Sequence, residues 1–307
     1  MARAALAVSF IFSSGLVKSV AKYLELNFHV SDWWLPFFTG LVFILPLLFS
    51  VFLLEKVPAP SEEDMESRVI RLPMSRPERK KFILEFRFGL VILVVLYIFL
   101  TVFRDIRDNF AADIWAELGF GNQPSVFTAT EIPISIIVLA LIGSMIVIRN
   151  NRRGLFITHI ILLTGFLIAG VSSWMFIHHH LSPYLWMSLV GLGLYMGYIP
   201  FNCILYDRLI ATFRSTGNVG FLIYISDSFG YLGSVAVIIS KSIFRSHLPW
   251  ASVYSTGVLY LSVIGVPGTL LAWRYFNKKY KKNHAFENSK KLELKQSLVT
   301  TLKSSPL

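Results

Sequence analysis

The densest group of ionisable side chains lies in the sequence RDIRDNF at positions 104–110, where a long apolar stretch ends. On a continuing helix, Arg104 and Asp108 lie four residues apart on one face, and Asp105 and Arg107 lie close by. Two acids among two arginines suit a self-neutralising network, and also proton coupling, because a nearby arginine changes a carboxylate's affinity for protons. A polar helix end that is hydrated at the membrane surface explains the same residues equally well.

A third acid, Glu131, stands at the start of the next apolar stretch, two residues before Pro133. Proline frees a backbone carbonyl one turn earlier, and a broken helix beside an acid can line an ion or substrate path. Alternatively, Glu131 is a first-turn glutamate that the N-terminus of its helix stabilises.

Asp227 lies about two turns into the seventh apolar stretch of the chain, too deep for simple hydration. Tyr224 and Tyr231 fall on its helical face and can donate hydrogen bonds to it. A stripe of small residues on this helix permits close packing against a neighbour; it consists of Ser226, Gly230 and Ser234. An acid that faces a central cavity and binds a proton or cation is favoured over a structural carboxylate.

Residues 191–202 combine small, aromatic and amide side chains. The spacing of Gly193 and Gly197 predicts a close helix contact. Pro200 predicts a kink or interruption, after which Asn202 would offer its amide to a ligand. Two tyrosines of the same segment would line the path with it, Tyr195 and Tyr198.

Three other features carry less chemistry. Lys18 sits late in the first apolar stretch, where it either pairs with an acid or, as we favour, extends to the membrane surface. The three consecutive histidines 178–180 cannot all reach one metal ion, so a hydrated loop is expected. The single cysteine, Cys203, excludes an internal disulfide.

Eight apolar stretches fill most of the 307 residues, and each approaches the roughly 20 residues that a helix needs to cross a bilayer. With 54% hydrophobic and 15% charged residues, the composition is that of an integral membrane protein. In lipid every peptide group must be bonded internally, so the stretches are predicted to be helices. The predicted spans are 4–22, 33–54, 83–103, 126–148, 154–177, 184–206, 219–240 and 251–273.

The formal net charge of +11 is distributed unequally between the two sides of these spans. Most lysines and arginines fall on the side that holds both termini, so the termini are predicted to be cytoplasmic. The basic residues carry no interleaved aromatics or binding motif, which argues against a nucleic-acid partner.

Four regions follow from this pattern. Residues 1–54 form two transmembrane helices, and the charged, proline-containing segment 55–82 is a cytoplasmic linker. Residues 83–276 form a six-helix bundle that is spaced like a 3+3 inverted repeat. The Lys- and Ser-rich residues 277–307 are expected to be a disordered cytoplasmic tail.

The loop GSMIVIRNNRR at 143–153 resembles the glycine- and arginine-containing loop that major facilitator superfamily transporters carry between their second and third helices and, in degenerate form, between their eighth and ninth. In that family the loop contacts neighbouring helix ends and helps to hold one conformation. The usual loop aspartate is missing here, and an asparagine stands nearby.

The chain is similar, more specifically, to a bacterial family of unknown function within that superfamily. The similarity extends along most of residues 1–276 and is carried by four stretches, 104–110, 127–133, 191–208 and 218–233. It implies a fold of twelve helices in two halves, of which this chain holds the fifth to the twelfth. On that correspondence the first four helices are absent and the segment 55–82 joins the halves.

These observations predict an all-α, multi-pass bundle of about eight helices in the bacterial inner membrane, with both termini cytoplasmic. The expected function is secondary transport of an unidentified small solute, coupled to protons or another cation. The expected partners are the lipid bilayer and that solute, no cofactor or metal is implied, and the oligomeric state is left open. The candidate substrate and coupling residues are Asp105, Asp108, Glu131, Asp227, Arg104, Arg107, Asn202, Tyr195 and Tyr198.

Two other classes of function remain open. A non-transporting scaffold or sensor, or a truncated relative of the transporters, needs no solute path. A membrane enzyme would use Asp105, Asp108 and Glu131 as acid and base groups, but no nucleophile geometry or known catalytic motif accompanies them. We therefore expect no catalytic activity.

Overall fold

The structure, a computed structural model, describes residues 2–66, 74–215, 217–244 and 249–304. Within these ranges every regular element is a helix, which confirms the predicted all-α fold. The helices are α1 Ala2–Phe28, α2 Leu35–Glu55, α3 Glu62–Glu66, α4 Arg76–Asn109, α5 Ala111–Glu117, α6 Ser125–Ser144, α7 Asn151–Ile177, α8 Pro183–Pro200, α9 Tyr206–Phe213, α10 Val219–Phe244 and α11 Trp250–Ser304.

Seven helical segments of the described chain are long and apolar enough to cross a membrane. They lie in α2, α4, α6, α7, the α8–α9 segment, α10 and α11. The first predicted span, 4–22, lies within the 27-residue helix α1, which is not among the seven. The chain is therefore a multi-pass helical membrane bundle.

The predicted linker 55–82 is shorter in the structure, because α4 begins at Arg76. Ser75 caps this helix: its hydroxyl accepts the Glu78 N–H, and the Glu78 carboxylate accepts the Ser75 N–H at 2.7 Å. Such a capping box satisfies two free backbone donors and starts a helix strongly. The described part of the linker also contains the short α3, and residues 67–73 lie outside the described ranges.

The tail is helical where the sequence predicted disorder for 277–307. α11 continues through Ser304, and only the last three residues lie outside the described ranges. Neither glycine nor proline occurs between Gly268 and Pro306, and lysine, leucine and glutamate favour helix. The prediction of disorder, which rested on charge content alone, was therefore wrong for the backbone of this segment.

Pro200 interrupts a helical segment, as predicted. α8 ends at this residue and continues as a five-residue π-helix, Phe201–Leu205, before α9 begins at Tyr206. Proline has no N–H to donate one turn back, and a π-turn absorbs the mismatch without breaking the helical path. α9 then ends at Phe213, and the next residue, Arg214, caps it with a left-handed φ of 48°.

The helices after the linker pack in a regular scheme. α7 packs against α8 and α11, α4 packs against α10 and α11, and α6 packs against α8. α1 lies along α6, where the Ser19 hydroxyl accepts the Thr128 N–H at 3.1 Å and the Thr128 hydroxyl donates to the Gly15 carbonyl at 3.2 Å. α2 contacts α1 and otherwise presents apolar side chains outward.

Gly165 of α7 and Gly193 of α8 bring these two helices into backbone contact. A Cβ placed on Gly193 would lie 2.5 Å from the Gly165 carbonyl oxygen and 2.9 Å from the Ala169 nitrogen. On the same helix, a Cβ on Gly197 would lie 2.7 Å from the Leu100 side chain. The predicted close contact at Gly193 and Gly197 is thus confirmed, with α7 and α4 as the neighbours.

We expect Gly193→Ala to destabilise the protein by about 1–3 kcal/mol, because the added methyl must push two helix backbones apart. Thermal unfolding of the purified protein in detergent measures the change. Gly40→Ala on α2 is the matched control, since nothing lies within 4 Å of its Cβ position. Equal melting temperatures for the two variants would contradict the assigned contact.

Candidate functional site

A cavity of about 720 Å³ lies between α1, α4, α8 with its π-helix, and α10. One wall is apolar and comes mainly from Leu6, Phe10, Ile11 and Val17 of α1. The opposite walls are polar and contain six of the predicted site residues, Arg104, Asp108, Tyr195, Tyr198, Asn202 and Asp227. The helices therefore bring together side chains that are more than 120 positions apart in the sequence.

Asp227 lies on the α10 wall of this cavity and is half-buried. The Tyr97 hydroxyl donates a hydrogen bond to its carboxylate, and the Asn202 amide donates to the Tyr97 oxygen at 3.2 Å. Of the two tyrosines expected beside it, Tyr231 lines the cavity, whereas Tyr224 is 74% exposed. A tyrosine from α4, rather than one from its own helix, thus orients this carboxylate.

Arg104 is held between an acid and an aromatic ring. Its Nη2 lies 2.5 Å from Asp105 Oδ1, and its guanidinium lies 4.1 Å from the centre of the Tyr198 ring. Tyr198 in turn stacks on Tyr97 with ring centres 5.2 Å apart. A guanidinium on a ring face gains a cation–π contact in addition to its ion pair.

Asp105 does not reach the cavity. Besides Arg104, it accepts a hydrogen bond from Ser234 of α10, and it borders a small void between α4 and α10. The Ser226–Gly230–Ser234 stripe explains this closeness, because a Cβ on Gly230 would lie 2.9 Å from the Thr101 hydroxyl of α4. The structure therefore gives Asp105 a place in the helix interface.

Lys18 crosses from α1 to α4 instead of extending to the membrane surface. Its Nζ lies 2.5 Å from Asp108 Oδ1, and Ser14, one turn earlier, donates to the same oxygen at 3.1 Å. The favoured surface position for Lys18 is thus wrong. Because α1 packs along the bundle, the Asp108 carboxylate lies within reach of the Lys18 ammonium.

Arg107 and Glu131 form a buried ion pair that joins α4 to α6. Arg107 Nη1 lies 2.5 Å from Glu131 Oε1, and the two side chains are only 4% and 7% exposed. Glu131 is buried in the second turn of α6, so it is not the first-turn glutamate of the alternative interpretation. A Cβ on Gly15 would lie 2.7 Å from the Glu131 Cγ, and a Cβ on Gly191 would lie 2.7 Å from the Arg107 guanidinium. Glycines of α1 and α8 thus enclose the pair, outside the cavity.

The charges of this region leave one carboxylate without a cation. Three cations pair with three acids, as Lys18–Asp108, Arg104–Asp105 and Arg107–Glu131. Among the described residues, no lysine, arginine or histidine lies within 4 Å of the Asp227 carboxylate. The described part of the chain also shows no group of three metal-binding side chains.

Tyr97 was not among the residues predicted from the sequence, although the sequence contains a signal for it. Tyr97, Thr101, Arg104 and Asp108 recur at positions i, i+4, i+7 and i+11, which is one face of a helix. A polar stripe inside an apolar helix predicts a face that is turned to a polar interior. Tracing the stripe back from residues 104–110 would have found Tyr97.

One family model matches residues 1–279, and its description is "Family of unknown function (DUF5690)". No curated protein and no solved structure matches the chain. The matched residues include every helix that lines the cavity. They also include both partners of each ion pair described above.

We expect Arg107→Met and Glu131→Leu each to destabilise the protein by about 3–5 kcal/mol, because each leaves an unpaired charge buried. The double variant should be more stable than the sum of the two losses predicts, since it removes both charges. Equilibrium or thermal unfolding in detergent provides the values.

Lys22→Met is the matched control, because the Lys22–Glu25 pair is more exposed and should contribute at most about 1 kcal/mol. Losses that simply add in the double variant would show that Arg107 and Glu131 do not stabilise the fold as a pair.

Proposed function

We propose that this chain, which belongs to the DUF5690 family, is a secondary transporter that moves a small solute together with a proton or another cation. The observation that carries the proposal is Asp227, an acid without a cation on the wall of a cavity of about 720 Å³ within a membrane bundle. Ionisable groups at such a place are costly, and they commonly mark ion and substrate paths.

Asp227 is the residue that we assign to the coupling cation. The other three acids near the cavity already have lysine or arginine partners, so binding a cation there would first require an ion pair to break. Asp227 has only hydrogen-bond support from Tyr97, and binding a proton or a metal cation would neutralise it without that cost. This assignment reduces the four acids that the sequence predicted for coupling to Asp227 alone.

The solute is assigned to the rest of the cavity wall. Asn202 offers an amide, Tyr195 and Tyr198 offer aromatic surface, and Arg104 offers a guanidinium. Such a mixture of apolar surface and a few directed polar groups is typical of small-molecule sites. Arg107, Glu131 and Asp105 are assigned to holding the helices that shape the cavity.

The packing of the six helices after the linker supports a transporter of the major facilitator type. Three helices correspond in order to the next three: α4 to α8, α6 to α10, and α7 to α11. When each helix is replaced by its counterpart, the main helix–helix contacts are reproduced. α6 packs on α8 as α10 packs on α4, and α7 packs on α8 as α11 packs on α4. An exchange of this kind is the expected mark of a 3+3 repeat, whose interface holds the site in many transporters.

With α1 taken as an eighth crossing, the proposed orientation places both termini in the cytoplasm of a bacterial cell. Arg149, Arg152 and Arg153 precede α7 or lie in its first turn, and Arg208 and Arg214 lie at the same end of the bundle. An excess of lysine and arginine on one side of the membrane is typical of the cytoplasmic side. Transport rather than catalysis is proposed, because the cavity's acids are held by cations or by Tyr97.

We expect Asp227→Asn to abolish cation-driven accumulation while the protein stays folded, since asparagine can still accept the Tyr97 hydrogen bond. The assay uses the full chain in liposomes that contain a pH-sensitive dye. Solute mixtures are added under a proton or sodium gradient, and uptake is followed together with ion movement.

Asp32→Asn is the matched control, because Asp32 is exposed in the loop before α2 and loses the same charge. Unchanged accumulation by Asp227→Asn would remove Asp227 from the mechanism. No solute-dependent flux in the unaltered protein, together with recovery of one stoichiometric partner, would favour a scaffold or sensor instead.

Cys203 offers a direct test of whether water and solute reach the cavity. It lines the cavity and is the only cysteine of the chain, so thiol modification reports on one position without other substitutions. A small methanethiosulfonate reagent should modify the folded protein, and a transported solute should slow this reaction.

A polyethylene-glycol maleimide should react only after denaturation, because it is larger than the cavity. Equal reaction of both reagents with the folded protein, or of neither reagent, would contradict a solute-sized path at Cys203.

A further inference from the structure

A second cavity, of about 510 Å³, lies at the end of the bundle where α7 begins. It is formed by the first two turns of α7, the end of α9 and the Trp273–Tyr280 part of α11, and it shares no lining residue with the central cavity. Neither the proposed transport nor the ion pairs of the bundle use it. Its lining combines arginines, amides, a histidine and aromatic rings.

The rim of this basic cavity carries positive charge without a matching acid. Arg152 and Arg153 are both exposed there, and no lining residue is acidic. Arg152 donates to the Asn277 side chain at 3.2 Å and lies 4.4 Å from the centre of the Tyr280 ring, so its guanidinium is held in position. The N-terminus of α7, capped by Asn150, adds the positive end of a helix dipole.

The inner wall of the basic cavity contains a polar atom without a partner. His159 is only 3% exposed, and its Nδ1 donates to the Leu155 carbonyl at 2.8 Å. Its Nε2 is buried and has no hydrogen-bond partner among the described residues. A buried polar atom of this kind is costly unless a ligand or water pairs with it. This observation is independent of the arginines at the rim.

The remaining wall is apolar and reaches the lipid-facing surface. Phe156 is 42% exposed and packs on Trp273 with ring centres 5.5 Å apart, and Phe276 lies buried beside His159. Tryptophan is enriched at the level of lipid headgroups. The cavity is therefore amphipathic, with its charge at the end of the helices and its apolar wall along their sides.

We propose that the basic cavity binds the headgroup of an anionic phospholipid. The phosphate lies between Arg152 and Arg153, a headgroup hydroxyl donates to His159 Nε2, and an acyl chain follows Phe156 and Trp273. Basic pockets between transmembrane helices are suited to such headgroups. A free anion would satisfy the arginines but would leave the exposed apolar wall without an occupant.

The test measures lipid retention by native mass spectrometry of the full chain released from detergent micelles. Phosphatidylglycerol is titrated against phosphatidylcholine with the same acyl chains. We expect one retained phosphatidylglycerol per chain. Removing both rim charges in R152Q/R153Q should weaken retention about 140-fold, because each arginine loses a charge-assisted hydrogen bond to the phosphate of about 1.5 kcal/mol, and 1.4 kcal/mol is a tenfold change.

R274Q/K278Q is the matched control, because it removes the same charge from exposed residues of α11 that do not line the basic cavity. Its retention of phosphatidylglycerol should stay within about twofold of the unaltered chain, since neither residue lines the basic cavity and a single bound lipid presents no anionic surface to them. His159→Leu supplies a second variant that leaves the rim intact, and it should weaken retention about fivefold through the loss of one hydrogen bond.

Two outcomes would overturn the proposal. Equal losses in R152Q/R153Q and R274Q/K278Q would show only general attraction between a basic protein and anionic lipid. Displacement of phosphatidylglycerol by inorganic phosphate or glycerol 3-phosphate at concentrations comparable to the lipid would assign the basic cavity to a soluble anion. Folding of each variant is checked by its elution profile and melting temperature.

Discussion

The buried ion pair between Arg107 and Glu131 is the constraint around which the other helices are arranged. Two opposite charges in the interior of a membrane bundle are tolerated only in close contact and out of reach of lipid. α1 and α8 supply the enclosure, and each does so with a glycine, Gly15 and Gly191, because a side chain at either position would meet the pair. Four helices are thus placed relative to one another by one interaction.

The central cavity follows from this arrangement. α1 is held to the bundle at Gly15 and by the Lys18–Asp108 pair, while its earlier residues form the apolar wall opposite Asp227. Pro200 adds the π-turn that places Asn202 and Cys203 on the remaining wall. Backbone contact between α7 and α8 fixes α8 from behind, so the polar residues of its other face are held towards α4.

The sequence predicted the class of fold because lipid leaves few alternatives: long apolar segments must be helices, and their lengths give their number. It also predicted the acids and the Gly193 contact, since charge and small residues stand out in apolar segments. It favoured Asp227 as an acid that faces a central cavity, but it did not predict which of the α4 acids faces that cavity. Asp105 and Asp108 are three residues apart, and only the rotation of α4, set by contacts with α10 and α1, sends them in different directions.

Lys18 and the tail at 277–307 show two other limits of prediction from the sequence. The partner of Lys18 lies 90 positions away, so no local pattern could distinguish pairing from extension to the surface. The tail was predicted disordered from its charge, yet charge determines solubility more than backbone conformation, and residues with high helix propensity continue α11. In both cases the deciding information was tertiary contact or local propensity, not composition.

The unequal count of charges around the central cavity has an electrical consequence. Counted as ions, the three cations and four carboxylates of this cluster sum to one negative charge, and Asp227 is the acid without a cation. On the proposed mechanism with an uncharged solute, binding a monovalent cation makes the cluster neutral, so the membrane potential acts on the unloaded carrier rather than on the loaded one. At about 2.3 kcal/mol per charge per 100 mV, a resting potential would bias the return of the empty protein and set the direction in which solute accumulates.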